Sequence, residues 1–359
     1  MKKTLVALAA LATVGLASAQ SSVTLYGKID WTIQNQTQKI NGVSTAANNP
    51  GWQVNSAGLS GSRWGMKGSE DLGGGLNAVF QLESGFNVDG GNSAQGGLLF
   101  GRQAYAGLKG NFGTFTVGRQ YSPYDNIIGA YDGQGYTSNS AMGYAWNGNG
   151  AAIGVNGIHQ DIGRINNSIY YATPAMGGFR ASAMVAPGEN KIPGVQSSGD
   201  LASISLGYGN GPISVDAVYE RIKSPFTGSA TNALYNFATN TSVWMLGGAY
   251  DFGAAKLYAG YERARATGGS HDTGWMLGVG VPFGAFSFNL GYASEKTTMT
   301  GLGFDGRNRG LGGQLVYSLS KRTNVYADFL TGKTRSASAF ANAPETKNNI
   351  FGVGMRHDF

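Results

Sequence analysis

The side chains best placed to do chemistry in this chain are cations on one face of alternating segments. In residues 62–70, Arg63 and Lys67 share one parity and Trp64 and Met66 the other. Side chains alternate faces along a strand, so this spacing puts the charges on one wall and the apolar groups on the opposite wall. Lys28 and Asp30 follow the same rule opposite Leu25, Ile29, Trp31 and Ile33, as does Arg356 opposite Met355, His357 and Phe359. Arg119 shares parity with Phe115 and Val117, which puts it off the charged wall unless a bulge intervenes. The chemistry is electrostatic: fixed charges along a confined aqueous path, where a low-dielectric surround strengthens their effect on ions. Covalent chemistry finds no support. Gly301-Leu302-Gly303-Phe304-Asp305-Gly306 matches a dinucleotide pattern by letters, but it lies in a polar loop and leads into a strand, not a helix. His159, His271 and His357 lack metal-ligand spacing, and no serine elbow or HExxH motif occurs. No cofactor or metal is expected.

The elements that position these charges are ribbons of period two from about residue 23 to Phe359. Short turns such as Asp71-Leu72-Gly73-Gly74-Gly75, Asn111-Phe112-Gly113, Asn210-Gly211-Pro212 and Phe283-Gly284 join them on one side. Polar loops near 187–200, 222–241, 264–272, 297–308 and 334–347 join them on the other. Sixteen ribbons are predicted. An even count with short turns at one rim and long loops at the other describes an all-β, 16-stranded antiparallel transmembrane barrel. The main rival is a soluble all-β sandwich, which would need crossings between sheets instead of nearest-neighbour hairpins.

The first 19 residues read as a cleaved signal peptide: Lys2 and Lys3, an apolar stretch from Leu5 to Leu16, then Ala17-Ser18-Ala19. Residues 20–359 form the barrel domain. No later apolar run is long enough for a helical span, so a membrane reading requires a closed sheet, which alone also satisfies the backbone in lipid. The chain has no cysteine, 59 glycines and 13% charged residues. Its formal charge of +6 is carried by scattered residues, with no basic run that would engage nucleic acid.

Residues 120–166 are too long for an ordinary connection. Ser122-Pro123 can cap and start a short helix. Tyr121, Tyr124, Tyr131, Tyr136, Tyr144 and Trp146 supply apolar surface. An ordered aromatic loop of this kind is expected to fold into a wide barrel and narrow it. The same rings leave open a substrate-specific channel that stacks a sugar or organic anion.

The residues that carry a family resemblance span the chain in order. They are Ser22-Val23-Thr24-Leu25-Tyr26-Gly27, Ser62-Arg63-Trp64-Gly65-Met66-Lys67-Gly68-Ser69-Glu70-Asp71-Leu72-Gly73 and Gly101-Arg102-Gln103-Ala104-Tyr105-Ala106-Gly107-Leu108. Val117-Gly118-Arg119-Gln120, Tyr317-Ser318-Leu319-Ser320-Lys321-Arg322-Thr323 and the ending Met355-Arg356-His357-Asp358-Phe359 complete them. In these the chain resembles the Gram-negative general porins of the β-proteobacterial type, the anion-preferring neisserial, Comamonas and Burkholderia group. The resemblance implies a homotrimer in the outer membrane, an inward-folded third loop, and passive diffusion of ions and small hydrophilic solutes. It implies an arginine wall, here Arg63, Arg102 and Arg164 together with Lys28, facing acidic loop residues, here Asp125 and Asp132. It also implies that Phe359 is the terminal aromatic read by the barrel-assembly machinery. Residues 133–157, rich in Gly, Ser, Asn and Ala, depart from the family pattern and predict a partly mobile stretch. An outer-membrane barrel enzyme or an adhesin are the remaining alternatives.

Overall fold

The structure is a computed structural model that describes residues 22–44, 49, 51–146, 163–188, 200–223, 240–300, 304–338 and 344–359. The signal-peptide segment and parts of the predicted polar loops lie outside the described residues.

β1 (Ser22–Ile40) is followed by two short pieces, Val43–Ser44 and Gly51–Ser56, and then by β2 (Arg63–Gly73) and β3 (Leu76–Gly85). Next come β4 (Gln103–Gly110), β5 (Gly113–Tyr121), β6 (Arg164–Ala172), β7 (Phe179–Ala186), β8 (Leu201–Asn210) and β9 (Ile213–Ile222). The series continues with β10 (Thr241–Asp251), β11 (Lys256–Ala266), β12 (His271–Phe283), β13 (Phe286–Met299), β14 (Phe304–Ser318), β15 (Thr323–Ser338) and β16 (Glu345–Asp358). Every strand pairs antiparallel with its chain neighbours. The sheet closes where β1 pairs with β16, from Lys28↔Asp358 to Ile40↔Thr346. β1 pairs with β2 from Ser22↔Ser69 to Lys28↔Arg63, and with Gly51–Ser56 from Gln36↔Gly51 to Trp31↔Ser56. The short piece and β2 therefore make one stave, interrupted at 57–62, and the barrel has the sixteen staves expected.

Burial is inverted relative to a water-soluble fold. Leu25, Ile29, Ile33, Trp244, Leu246, Trp275, Leu277, Phe351 and Val353 are exposed on the outside, while Asp30, Thr32, Gln34, Asp216, Glu220, Gln314 and Asp328 are buried inside. Such an apolar outer band is the surface a barrel presents to lipid. Rings flank it at two levels: Trp244 against Tyr261 and Trp275 against Tyr292 at one, Phe283 against Phe286 and Phe286 against Tyr317 at the other. Trp275 and Phe283 both lie on β12, about 26 Å apart at ~3.3 Å per residue before tilt.

One expectation needs correction. Around 264–272 and 297–308 the sequence reads as loop, yet β11 runs to Ala266, β12 begins at His271, β13 reaches Met299 and β14 begins at Phe304. Outward residues there are polar, Arg265, Lys296, Thr298, Arg307 and Arg309, because the strands project beyond the apolar band; apolar alternation disappears while the ladder continues. Of the stretch 133–157, residues 133–146 are described and contain a buried helix, Ala141–Trp146, while 147–157 lie outside the described residues.

Candidate functional site

The segment after β5 turns inward because its sequence ends a strand and starts a helix at once. Ser122 caps α1 (Pro123–Ile128): its Oγ accepts from the Asp125 N–H at 3.3 Å and donates to Asp125 Oδ2 at 3.0 Å, with proline in the first turn. A 3-10 turn, Gly129–Tyr131, and α2 (Ala141–Trp146) follow. The loop's apolar side, Tyr124, Ile127, Ile128, Tyr131, Met142, Ala145 and Trp146, packs on Val218, Val243, Met245, Ala264, Met276 and Ala293 of β9 to β13. Burial of these side chains, at roughly 1.5–3 kcal/mol for each large one, is what seats the loop.

Glycines in the wall make room for it. A Cβ at Gly247 would overlap the Tyr131 ring, and one at Gly332 the Tyr144 ring. At Gly274 a Cβ would lie 2.7 Å from Trp146 Nε1, and at Gly310 2.7 Å from the Ala141 carbonyl oxygen. Polar anchors complete the seat. Tyr124 donates to Glu262 and Tyr131 to Asp216, both at 2.5 Å, and Asn139 Nδ2 reaches Asp328 at 3.1 Å and Gln34 at 3.3 Å. The loop thus clads the lumen from β9 round to β1.

The wall it leaves bare, β1 to β6, carries the cations. Arg102 Nε bonds Glu83 Oε1 at 2.7 Å, and its Nη2 donates to the Tyr121 hydroxyl at 3.0 Å. Arg164 donates to the same hydroxyl and stacks its guanidinium 4.5 Å from the Tyr121 ring centroid. Arg63 lies 4.0 Å from Glu83 and donates from Nε to the Gly61 carbonyl at 3.0 Å. That carbonyl is held in place by Asp30, which accepts from the Leu59 and Ser60 N–H groups at 3.0 and 2.7 Å and from the Tyr326 hydroxyl at 2.7 Å. An open cavity of about 420 Å³ is lined by Arg63, Arg102, Arg164, Tyr121, Asp125 and Tyr136. Loop and arginine wall meet there.

The structure therefore brings together Arg63, Arg102, Arg164 and Asp125. It separates the other two predicted members. Lys28 sits next to Arg63 in register but pairs at 3.6 Å with Asp358 at the β1/β16 seam, outside the cavity lining. Asp132 does not face the arginines. It is buried and accepts from the Gln134 and Tyr136 N–H groups at 2.9 and 3.0 Å, shaping its own loop. Burial pushes its carboxyl above the usual carboxylate range, and those N–H groups partly restore it. Arg119 stays outside the lining, bonding the Gly101 carbonyl at 2.9 Å and Asn166 Oδ1 at 2.6 Å. The ladder does shift register beside it, at Gly118–Gln120. The loop rings Tyr124, Tyr131, Tyr144 and Trp146 are at most 2% exposed, so they are spent on the seat and offer no stacking surface for a solute. Sequence reasoning missed Glu83, which lies on the inward parity of β3; its pairing with Arg102 depends on the β3/β4 register.

A closed barrel with an apolar outer band, a polar lumen and an inward loop beside an arginine wall defines a water-filled outer-membrane pore, not an enzyme. The profile of the Gram-negative porin family matches residues 4–337, and the chain belongs to that family. It is 34% identical over 420 aligned residues to an outer membrane porin protein of Bordetella pertussis, covering 100% of both chains. It is 33% identical over 376 residues to outer membrane porin protein 32 of Delftia acidovorans, again covering 100% of both. Among solved structures, the anion-selective porin from Comamonas acidovorans is similar at a TM-score of 0.75 and 30% identity, covering 94% of this chain and 100% of that one. Salmonella typhi OmpF shares the fold at a TM-score of 0.64 and 16% identity, covering 94% and 97%. The protein is thus an outer-membrane porin of a Gram-negative bacterium that passes solutes by passive diffusion.

Proposed function

We propose that the pore prefers anions weakly, through Arg63, Arg102 and Arg164. The observation that carries this reading is the charge count around the cavity: three arginines against two carboxylates, Glu83 and Asp125. Other wall carboxylates, Glu220, Glu262 and Glu295, are at most 3% exposed because the loop covers them, so a permeating ion meets the arginine side. The similarity to a porin described as anion-selective agrees with this. The same reading takes the working unit as a homotrimer, residues 1–19 as a leader, and the exposed terminal Phe359 as the group read by the assembly machinery.

The test is the reversal potential of the purified protein in a planar bilayer under a salt gradient. Anion preference is expected in the wild type. Arg63→Gln combined with Arg102→Gln leaves one arginine against two carboxylates, and the sign is expected to turn towards cations. An unchanged reversal potential in the correctly folded double variant would remove these arginines from the selectivity site.

A further inference from the structure

The bare wall between the arginine cavity and the rim of short turns carries rings of its own. Its inward positions fall into rungs across β1 to β4. One rung reads Tyr26↔Gly65↔Glu83↔Gln103. The next, one step nearer the short turns, reads Lys67↔Gln81↔Tyr105. A hydrogen-bond chain with one direction ties them together. The Tyr105 hydroxyl donates to Gln81 Oε1 at 2.7 Å, Gln81 Nε2 donates to the Tyr26 hydroxyl at 2.7 Å, and that hydroxyl donates to Glu83 Oε2 at 2.9 Å. Glu83 in turn holds Arg102. Tyr26 lies across bare backbone: a Cβ at Gly65 would come within 2.9 Å of its hydroxyl oxygen.

Both tyrosines and Gln81 are half-buried, so unlike the loop rings they keep part of their surface open to the lumen. Lys67 is exposed beside them. Its Nζ lies 5.3 Å from the Tyr26 ring centroid, and among the described residues it forms no ion pair. Lys67 and Tyr105 flank Gln81 on neighbouring strands, so their Cα atoms stand roughly 10 Å apart, a span that one small solute can bridge. The hydroxyl hydrogens of both tyrosines are already spent on the chain. What the wall still offers is a fixed ring face and an ammonium group. That is a poor match to the many hydroxyls of a sugar and a good match to a flat ring bearing one negative charge. Because the rings are held before any solute arrives, stacking on them avoids the cost of ordering a side chain.

We propose that Tyr26, Lys67, Gln81 and Tyr105 form a retention site for small aromatic carboxylates on the short-turn side of the constriction. The carboxylate pairs with Lys67, and the ring stacks on Tyr105 in the offset or edge-on manner that aromatic pairs favour. The site rests on the anion-preferring reading above, because Arg63 stands one rung nearer the cavity and hands anions to Lys67 along the same face of β2.

The test measures block of the potassium chloride current by benzoate and by cyclohexanecarboxylate, its non-aromatic counterpart, in planar bilayers holding the purified protein. An aromatic pair is worth about two- to twelvefold in affinity beyond its buried area, so benzoate is expected to half-block the wild type at a concentration lower by that factor. In Y105L the ratio of the two half-blocking concentrations is expected to fall to about one, whereas Y105F, which keeps the ring, retains most of it. K67Q is expected to weaken block by both acids about two- to fivefold and to leave their ratio in place. Equal block of the wild type by the two acids, a wild-type ratio in Y105L, or block by neutral benzamide as strong as by benzoate would overturn the proposal. The reversal potential in potassium chloride reads the arginine assignment separately. Anion preference with a ratio of one sinks the retention site alone; cation preference with the ratio intact sinks the arginine assignment and leaves the site. Should Y105L fail to fold, the wild-type ratio and K67Q decide: a ratio above two together with weaker block in K67Q supports the site, and either one missing overturns it.

Discussion

Two halves of one lumen are built on the same lattice and solve opposite problems. From β1 to β6 the inward positions carry charge and hydroxyl, Arg63, Glu83, Arg102, Tyr121 and Arg164, and all of these but Glu83 line the cavity. From β9 to β15 the inward positions alternate small and apolar groups, Val218, Gly247, Met245, Ala264, Met276, Ala293 and Gly332, with carboxylates that the loop caps. The first half makes an electrostatic surface; the second makes a socket. The comparison teaches that glycine abundance in this barrel is partly a matter of shape. Glycine inside a strand is unfavourable by itself, and here several are kept where an aromatic ring of the loop fits against bare backbone.

The strongest way to break the contrast is to fill the socket. Gly247→Val and Gly332→Val put side chains where Tyr131 and Tyr144 now lie, and overpacking of this kind costs about 1–3 kcal/mol at each site. The barrel ladder has no need of either glycine, so the cost falls on loop docking. The double variant is expected to show larger and noisier single-channel conductance, and faster proteolysis within the loop, at an unchanged content of β structure. Conductance equal to wild type would mean that the loop seats without these two pockets.

How much of this was legible in the sequence follows from the range over which each feature is encoded. Strands and turns are local: period two in Leu25, Ile29 and Ile33 or in Phe351, Val353 and Phe359 announces a two-faced wall, and Ser122-Pro123 announces the inward helix. Parity alone put Arg63 on the charged wall, but its grouping with Arg102 and Arg164 came through motif resemblance, since nothing in their spacing brings the three to one cavity. Glu83 and the socket glycines were not legible. The first depends on the register between β3 and β4, and the others on where the loop packs against β10 to β15. Asp132 failed as a pore residue for a related reason. An acid in a loop reads the same whether it faces water or ties its own backbone, and only the fold shows that the Gln134 and Tyr136 N–H groups claim it.

A smaller effect sharpens the charged half. Glu83→Gln removes a carboxylate that bonds Arg102 at 2.7 Å and accepts from the Tyr26 hydroxyl at 2.9 Å. The arginine count then goes unopposed on that wall, and anion preference is expected to increase. Arg102 is only 6% exposed, so losing its charged partner is expected to cost about 1.5–3 kcal/mol, the range for a hydrogen bond to a charged group. Heat-modifiable mobility on a gel and the reversal potential read the two consequences separately. A rise in selectivity without loss of stability would mean that water replaces Glu83 at little cost.

The mildest perturbation falls at the junction of the halves, where the chain leaves the arginine wall and enters the socket. Ser122 is fully buried, caps α1 and holds Asp125, the loop carboxylate that lines the cavity with the arginines. Ser122→Ala removes the cap at a cost of about 1 kcal/mol. The apolar seat of Tyr124, Ile127 and Ile128 is worth several times that by burial, so the loop is expected to remain docked and conductance to change little. What changes is one hydrogen bond to the Asp125 carboxylate, which already lines the cavity with the arginines, so a small shift in ion preference at constant conductance is the expected signature. A large conductance change from this single hydroxyl would mean that the cap, and not the socket, holds the loop in the pore.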